Sequence, residues 1–288
     1  MEFNFKQDLK AIREILGITQ MELAKKLKVD QKTISRNENG INEPSATLME
    51  QVYSFAFEKG IRINKLKEMF WEDCMNKKHK LLFHGSKSKI EGNLSVTFGR
   101  ENNDFGQGFY AGENYEQAVS FIAGFDKSSV YYLEFNNEGL KQKEYEVNQE
   151  WMLTIAYYRG VLDEYKSHPF VVKLIEESRN CDYIIAPIAD NRMFKIIDSF
   201  ISGEITDEQC RHCLAATHLG LQYVFISELA IQQVKLIERC YISNNEREFY
   251  KKIRLDDTKL GDDKVKLARI KYRGKGKYID EILGDYSV

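Results

Sequence analysis

The feature that most constrains this 288-residue chain is a change of hydrophobic period at Lys80. Before it, apolar residues recur at helical spacing: Leu9, Ile12, Ile15 and Leu16, then Leu23, Ala24 and Leu27, then Leu48, Val52 and Phe55. After it come short apolar runs bounded by turn residues, at 80–84, 130–135, 183–186 and 221–226, which read as strands. Helical patterns at 114–124, 149–160, 169–178, 191–201, 206–218 and 228–233 fall irregularly among them. Irregular interleaving predicts an α+β fold rather than a doubly wound sheet. The expected organisation is an all-α N-terminal domain over residues 1–78, an α+β domain over 79–245 and a charged C-terminal extension over 246–288.

Composition narrows the class. A content of 43% hydrophobic and 30% charged residues suits a packed, water-soluble protein, and a net charge of -2 argues against a general polyanion coat. No apolar run is long enough to span a bilayer. The first residues, Met1-Glu2-Phe3-Asn4-Phe5-Lys6, lack the basic-then-apolar order of a signal peptide. Five scattered cysteines fit a reducing compartment better than a disulfide framework. The expectation is a cytoplasmic protein with no membrane partner.

The N-terminal region carries its own start and stop signals. Gly17 is placed to end the first helix. Thr19 and Glu22 form a capping box, Asp30 caps the segment Gln31-Lys32-Thr33-Ile34-Ser35-Arg36, Gly40 closes it, and Pro44-Ser45 opens the next helix. Residues 61–80 are expected to continue as an amphipathic helix with Ile63, Leu66, Met69, Phe70 and Trp71 apolar, ending at the basic junction Lys77-Lys78-His79-Lys80. The string Ile18-Thr19-Gln20-x-x-Leu23-Ala24-x-x-Leu27-x-Val29-x-x-x-Thr33-Ile34-Ser35-Arg36-x-Glu38-x-Gly40 resembles the helix-turn-helix of phage-repressor-like regulators. The resemblance implies that residues 31–36 are a recognition helix for the DNA major groove. Gln31, Lys32, Thr33, Ser35 and Arg36 then face DNA, with Gln31 and Arg36 suited to base edges and Lys32 to phosphate. The alternative is a helix-turn-helix retained as a protein-interaction or dimerisation module. Residues 1–80 hold 15 Lys+Arg against 12 Asp+Glu, a balance that permits DNA binding without demanding it.

In the second region two short motifs set polar or aromatic side chains beside glycines: Leu82-Phe83-His84-Gly85-Ser86 and Asp104-Phe105-Gly106-Gln107-Gly108-Phe109-Tyr110. Glycine at such points lets backbone approach a flat ligand. The triplet Asp104-Phe105-Gly106 spells a kinase metal-binding motif, but none of its companion motifs is present. Gly106-x-Gly108 without a third spaced glycine is not a dinucleotide fingerprint.

From about 81 to 237 the chain resembles bacterial ADP-ribosyltransferases of the His-Tyr-Gln type, and most closely a DUF3990-like branch of unknown function. The resemblance implies a split-sheet fold that uses NAD as substrate. His84 is then matched to a ribose-holding His, with Gly85 and Ser86 beside it at the nicotinamide carboxamide. Gly108, Phe109 and Tyr110 match the segment whose Tyr stacks on nicotinamide, and Phe121 stands where a second stacking aromatic is expected. Gln222-Tyr223-Val224-Phe225 matches a late strand that usually begins with Glu. Arg100 is a candidate for pyrophosphate or a plain surface arginine.

Transfer of ADP-ribose breaks the bond between nicotinamide and ribose through an oxocarbenium-like transition state. Aromatic faces hold the cationic pyridinium, and a carboxylate usually supports the ribose hydroxyl and the developing charge. Gln222 can bond that hydroxyl but carries no charge: either a nearby carboxylate compensates, with Glu228 as a candidate, or the acceptor is a good nucleophile, or the enzyme is slow, or it only binds NAD. The expected catalytic residues are His84, Tyr110 and Gln222. No metal is expected: Cys210-x-x-Cys213 with His212 and His218 lacks a second cysteine pair, and Cys210, Cys213 and Leu214 share one apolar helix face. Ala189-Asp190-Asn191 reads as a helix cap.

The expected function is an NAD-dependent ADP-ribosyltransferase, toxin-like or acting in phage defence, that modifies a macromolecular acceptor and carries a DNA-binding autoregulatory domain. The alternative is a transcriptional regulator whose C-terminal domain senses NAD or a related nucleotide without catalysis. An antitoxin and a second copy of the chain are further candidate partners. The tail alternates acidic and basic blocks; Val265, Leu267, Ile270 and Tyr272 suggest a strand or short helix, followed by a basic turn at Arg273-Gly274-Lys275-Gly276-Lys277.

Overall fold

The computed structural model describes residues 2–216 and 220–284. Among them the elements run α1 (Phe5–Ile15), α2 (Gln20–Leu27), α3 (Gln31–Glu38), α4 (Ala46–Glu58), α5 (Ile63–Cys74), β1 (Lys80–Ser86), β2 (Phe109–Gly112), α6 (Tyr115–Ile122), β3 (Ser129–Phe135), β4 (Gln142–Glu144), α7 (Gln149–Tyr158), α8 (Pro169–Arg179), β5 (Tyr183–Pro187), α9 (Asn191–Ile201), α10 (Asp207–Ala215), β6 (Leu221–Phe225), α11 (Glu228–Gln232), β7 (Val234–Tyr241), α12 (Asn244–Lys271) and α13 (Ile279–Gly284). The fold is α+β: an N-terminal helical region followed by mixed helices and strands.

Two compact units are interleaved along the chain. One contains residues up to Glu91, Asn114–Phe135 and Lys235–Ile253; the other contains Gly92–Glu113, Asn136–Val234 and the residues from Arg254 onward. The junction expected at 78/79 therefore falls inside the first unit.

In that first unit, α1 to α4 close over Leu9, Ile12, Leu23, Ile34, Val52 and Ala56. Local chemistry fixes their ends. Thr19 and Glu22 make the capping box, with Glu22 N–H donating to Thr19 Oγ1 at 3.2 Å and Thr19 N–H to Glu22 Oε2 at 2.7 Å. Lys28, at φ 56°, is the one non-glycine in the left-handed region among the described residues, and it makes the turn out of α2. Asp30 accepts from Lys32 N–H at 2.7 Å and starts α3, and Ser45 accepts from Leu48 N–H at 3.1 Å to start α4. Strand β1 pairs antiparallel with β3, and β7 lies on the far side of β3.

Helix α5 departs from its expected orientation. Its buried residues are Ile63, Asn64, Lys67 and Glu68, while Leu66, Met69 and Phe70 are exposed. The polar face turns inward because distant residues supply its partners. Lys67 Nζ meets Asp8 Oδ2 at 2.5 Å and Glu238 Oε1 at 2.8 Å, and Trp71 Nε1 donates to Glu238 Oε2 at 2.7 Å. Asn64 Nδ2 lies 2.9 Å from the Tyr115 hydroxyl, 2.9 Å from the Tyr241 carbonyl and 3.1 Å from Glu246 Oε2.

In the second unit the strand order is β4-β5-β6-β2. Strands β4 and β5 are parallel, and β5, β6 and β2 are antiparallel in turn. The core gathers around Trp151, Leu153 and Ile155 of α7, Ile196, Ile197 and Phe200 of α9, and Val224 of β6. Strands β2, β4 and β7 were not anticipated. The tail also differs: α12 is one helix of 28 residues through the stretch expected as a strand or short helix. The basic turn after it is present, with Gly274 and Gly276 both at positive φ. No helix among the described residues is long and apolar enough to cross a membrane.

Candidate functional site

The segment expected to face DNA, residues 31–36, lies on α3. On α3, Gln31, Lys32 and Arg36 are exposed and Thr33 and Ser35 half-buried, while Ile34, Asn37 and Glu38 are buried. Two polar residues of the motif hold the helices together. Glu38 accepts from Arg13 Nε and Gln20 Nε2, each at 2.6 Å, and so ties α3 to α1 and α2. Gln31 Nε2 reaches Gln20 Oε1 at 3.3 Å.

His84, Gly85 and Ser86 lie within β1, which runs on through Ser86 rather than stopping at His84, in register with Tyr131, Val130 and Ser129 of β3. All three are half-buried. Gly85 has a packing reason to be glycine: a Cβ there would come within 2.6 Å of the Ala118 carbonyl oxygen and 3.0 Å of the Ile122 side chain. The missing side chain lets α6 lie against β1. Phe121, on that helix, is about half exposed at 47%.

The second motif is a tight loop in the other unit. Gly106 sits at φ +74°, and a Cβ on it would press on the Tyr158 ring at 2.9 Å. Gly99 and Gly108 approach so closely that a Cβ on Gly99 would fall 2.0 Å from the Gly108 carbonyl oxygen. A Cβ on Gly108 would stand 2.9 Å from the Phe225 carbonyl oxygen. Phe109 is buried on β2. The Tyr110 hydroxyl donates to the Gly106 carbonyl at 2.7 Å and accepts from Phe105 N–H at 3.2 Å, which pins the loop. Burial pushes the Tyr110 phenol well above its ordinary range, so it stays a neutral donor.

Strand register sets Gln222 of β6 opposite Gly112 of β2 and Ala186 of β5. The carboxylate beside it is Asp104, whose triplet has here a structural use unrelated to kinases. Gln222 Nε2 donates to Asp104 Oδ2 at 2.9 Å and to the Pro187 carbonyl at 3.2 Å. Ala189 N–H reaches the same carboxylate oxygen at 3.2 Å. Arg159, at the end of α7, donates to Asp104 Oδ1 from Nη2 at 2.5 Å and from Nε at 3.0 Å, and from Nη2 to the Ala189 carbonyl at 2.9 Å. Asp104 and Gln222 are both buried.

Glu228, a candidate compensating carboxylate, is exposed in the first turn of α11. Sequence reasoning missed Asp104 and Arg159. The signal available was an acid immediately ahead of the first glycine of the motif. Arg100 is exposed. Asp190 caps α9 as expected, accepting from Arg192 and Met193 N–H at 3.0 and 2.9 Å.

His84, Gly85, Ser86 and Phe121 belong to the first unit; Arg100, Asp104, Gly108, Phe109, Tyr110 and Gln222 belong to the second. Cys210 and Cys213 are buried in the second unit's core, where burial raises both thiols. His212 stacks on Tyr272, and His218 lies outside the described residues. Among the described residues no three His, Cys, Asp or Glu side chains gather as a metal site.

No curated protein and no solved structure matches the chain. Residues 9–52 match the helix-turn-helix family, which agrees with the geometry of α1 to α4. Residues 80–236, more than half the chain, match a family described as protein of unknown function (DUF3990). The chain therefore belongs to the DUF3990 family and carries a DNA-binding helix-turn-helix ahead of that domain.

Proposed function

We propose that the DUF3990 domain is an NAD-dependent ADP-ribosyltransferase that modifies a macromolecular acceptor, with the helix-turn-helix directing the protein to DNA for autoregulation or defence. The observation that carries this reading is that His84, Tyr110 and Gln222 each lie on a strand, with Gly85 next to His84, Gly108 and Gly112 two residues to either side of Tyr110, and Gly112 directly opposite Gln222. Strand-borne side chains next to bare backbone suit a flat ring and a ribose. The bond from ribose C1′ to the nicotinamide nitrogen breaks, the electron pair leaves with neutral nicotinamide, and the acceptor bonds to C1′ and loses its proton to water. In this reading the family resemblance gives His84 the role of orienting the ribose, Tyr110 and Phe121 that of aromatic faces for the pyridinium, and Gln222 that of accepting a ribose hydroxyl.

The test is incubation with NAD labelled in the ADP-ribose part, following nicotinamide release and transfer of label to lysate macromolecules. Activity is expected, and His84→Ala and Tyr110→Ala are each expected to lose about a hundredfold or more, by analogy with the removal of an oriented donor. Unaffected rates in both variants refute the site.

A second reading, a regulator that senses NAD without cleaving it, is favoured by the uncharged Gln222 and by one feature of the fold. The helix-turn-helix and the strand bearing His84 belong to the same compact unit. It is distinguished by saturable NAD binding with no nicotinamide release, together with operator affinity that changes with NAD. Arg36→Ala is expected to weaken operator binding and relax its sequence preference, and Lys32→Ala to flatten its salt dependence, in either case.

A further inference from the structure

The amide of Gln222 is held in one orientation. Its nitrogen has two protons, and both are directed at acceptors, Asp104 Oδ2 at 2.9 Å and the Pro187 carbonyl at 3.2 Å. Turning the amide over would set Oε1 against those same two acceptors. Asp104 cannot turn to accommodate such a flip. Arg159 grips its Oδ1 with two donors at 2.5 and 3.0 Å, Ala189 N–H holds its Oδ2 at 3.2 Å, and Arg159 is itself anchored on the Ala189 carbonyl at 2.9 Å. The remaining polar atom of the side chain, Oε1, is an acceptor.

We propose that Asp104 is the positioning residue of Gln222. It fixes Oε1 as an uncharged acceptor for a sugar hydroxyl, so that the ligand class of this half of the site is a ribose-bearing nucleotide that donates a hydroxyl hydrogen. The proposal rests on the ADP-ribosyltransferase reading. It also accounts for the missing charge: the carboxylate lies one hydrogen bond behind Gln222, on Asp104, rather than at position 222. A glutamate placed at 222 in this protein would face a second carboxylate across about 3 Å, the spacing of an ordinary hydrogen bond, and like charges that close oppose each other. Exchanging the two groups, with Asn at 104 and Glu at 222, keeps one charge and one amide in the pair and restores the hydrogen bond between them with reversed polarity, while setting a carboxylate oxygen against the Pro187 carbonyl and an amide nitrogen against Ala189 N–H.

The experiment compares wild type, Asp104→Asn, Gln222→Glu and the double variant Asp104→Asn/Gln222→Glu. Nicotinamide release is measured with kcat and KM separated, alongside urea unfolding midpoints. Each single variant is expected to lose at least about tenfold in kcat with KM little changed, and the double to recover part of that loss, exceeding both singles. Singles as active as wild type, or a double no better than the weaker single, overturn the proposal while leaving the transferase reading intact. Gln222→Met leaves the Asp104–Arg159 pair untouched and covers the case in which Asp104→Asn does not fold. It is expected to erase the preference for NAD over its analogue lacking the 2′-hydroxyl on the nicotinamide ribose; a preference that survives overturns the proposal. If wild type neither binds nor cleaves NAD, the transferase reading fails by itself. The positioning contact is then judged from the unfolding midpoints, where strictly additive effects at 104 and 222 refute it.

Discussion

Glu246 makes the stability of the first unit depend on pH in a direction opposite to most paired carboxylates. It is buried near the start of α12, accepting from the Tyr115 hydroxyl at 2.8 Å and from Asn64 Nδ2 at 3.1 Å. Burial raises its carboxyl from the ordinary 4.5 to about 7, against the lowering effect of those two hydrogen bonds and of Arg62 and Lys67. Each pKa unit is worth about 1.4 kcal/mol, so ionising this group in the fold costs about 3 kcal/mol as an upper figure. Below pH 4.5 the carboxyl is protonated whether the chain is folded or unfolded, and the penalty is zero. As pH rises, the unfolded chain gives up the proton first, so stability falls until about pH 7 and is flat beyond. Glu246→Gln removes the titration. Its amide can set Oε1 toward Asn64 Nδ2 and Nε2 toward the Tyr115 hydroxyl, at a cost that is the same at every pH, so the slope is the informative quantity. Urea unfolding from pH 4.5 to 8 is expected to show wild type losing up to about 3 kcal/mol relative to the variant across the range, most of it below pH 7. Parallel stability curves for the two proteins would refute the reasoning, because they would mean that Glu246 ionises as easily in the fold as in water.

Three further outcomes are expected. Gly85→Ala places a methyl 2.6 Å from the Ala118 carbonyl oxygen and forces α6 off β1; a loss of about 1–3 kcal/mol in chemical unfolding is expected, with or without NAD present. Lys67→Met leaves Asp8 and Glu238 buried without their cation, and about 3–5 kcal/mol of stability is expected to go, measured the same way. Thr19→Ala removes the cap of α2 and is expected to cost about 1 kcal/mol, read as a lowered melting temperature with the DNA-facing residues unchanged.

The legibility of the chain follows how local the determining chemistry is. Thr19, Asp30, Ser45 and Asp190 cap helices through backbone two or three residues away, so the sequence alone announces them. Strand β7 was invisible because it buries Glu238 and Arg239, whose partners lie elsewhere in the chain. The inverted face of α5 has the same origin. Strand β4 is short, polar and attached by parallel pairing to β5, a pattern with no local signature. In α12 the glycine at 261 looks like a breaker. A Cβ there would collide with Arg192 Nη1 at 2.5 Å, and that guanidinium donates to the Thr258 carbonyl at 2.9 Å. The glycine marks a close approach, and the helix runs through it. Of the site, the residue types on the strands were readable from the motifs. The Asp104–Gln222–Arg159 arrangement was not, since it joins residues 55 and 118 positions apart.

Family boundaries and mechanical boundaries divide this chain differently. The sequence families meet between residues 52 and 80, yet the first compact unit takes in both the helix-turn-helix and β1, α6, β3 and β7. The reason is the buried polar set. Asp8 on α1, Lys67 on α5 and Glu238 on β7 are ion-paired, and Asn64 Nδ2 on α5 and the Tyr115 hydroxyl on α6 both donate to Glu246 on α12. Pulling the helices away from the strands would leave charges and amides without partners in a low-dielectric interior, a cost that a hydrophobic interface of the same size would not carry. Helix α3 is in turn tied to α1 through Glu38 and Arg13. A continuous set of packed and hydrogen-bonded elements therefore runs from Gln31 and Arg36 to the strand that bears His84, all within one unit. A ligand that altered the packing of β1 against α6 would act on Tyr115, and through it on Asn64 of α5, without any motion between the two units. On the proposed reading of His84 as a ribose-holding residue, these contacts are the route by which its occupancy would reach α3.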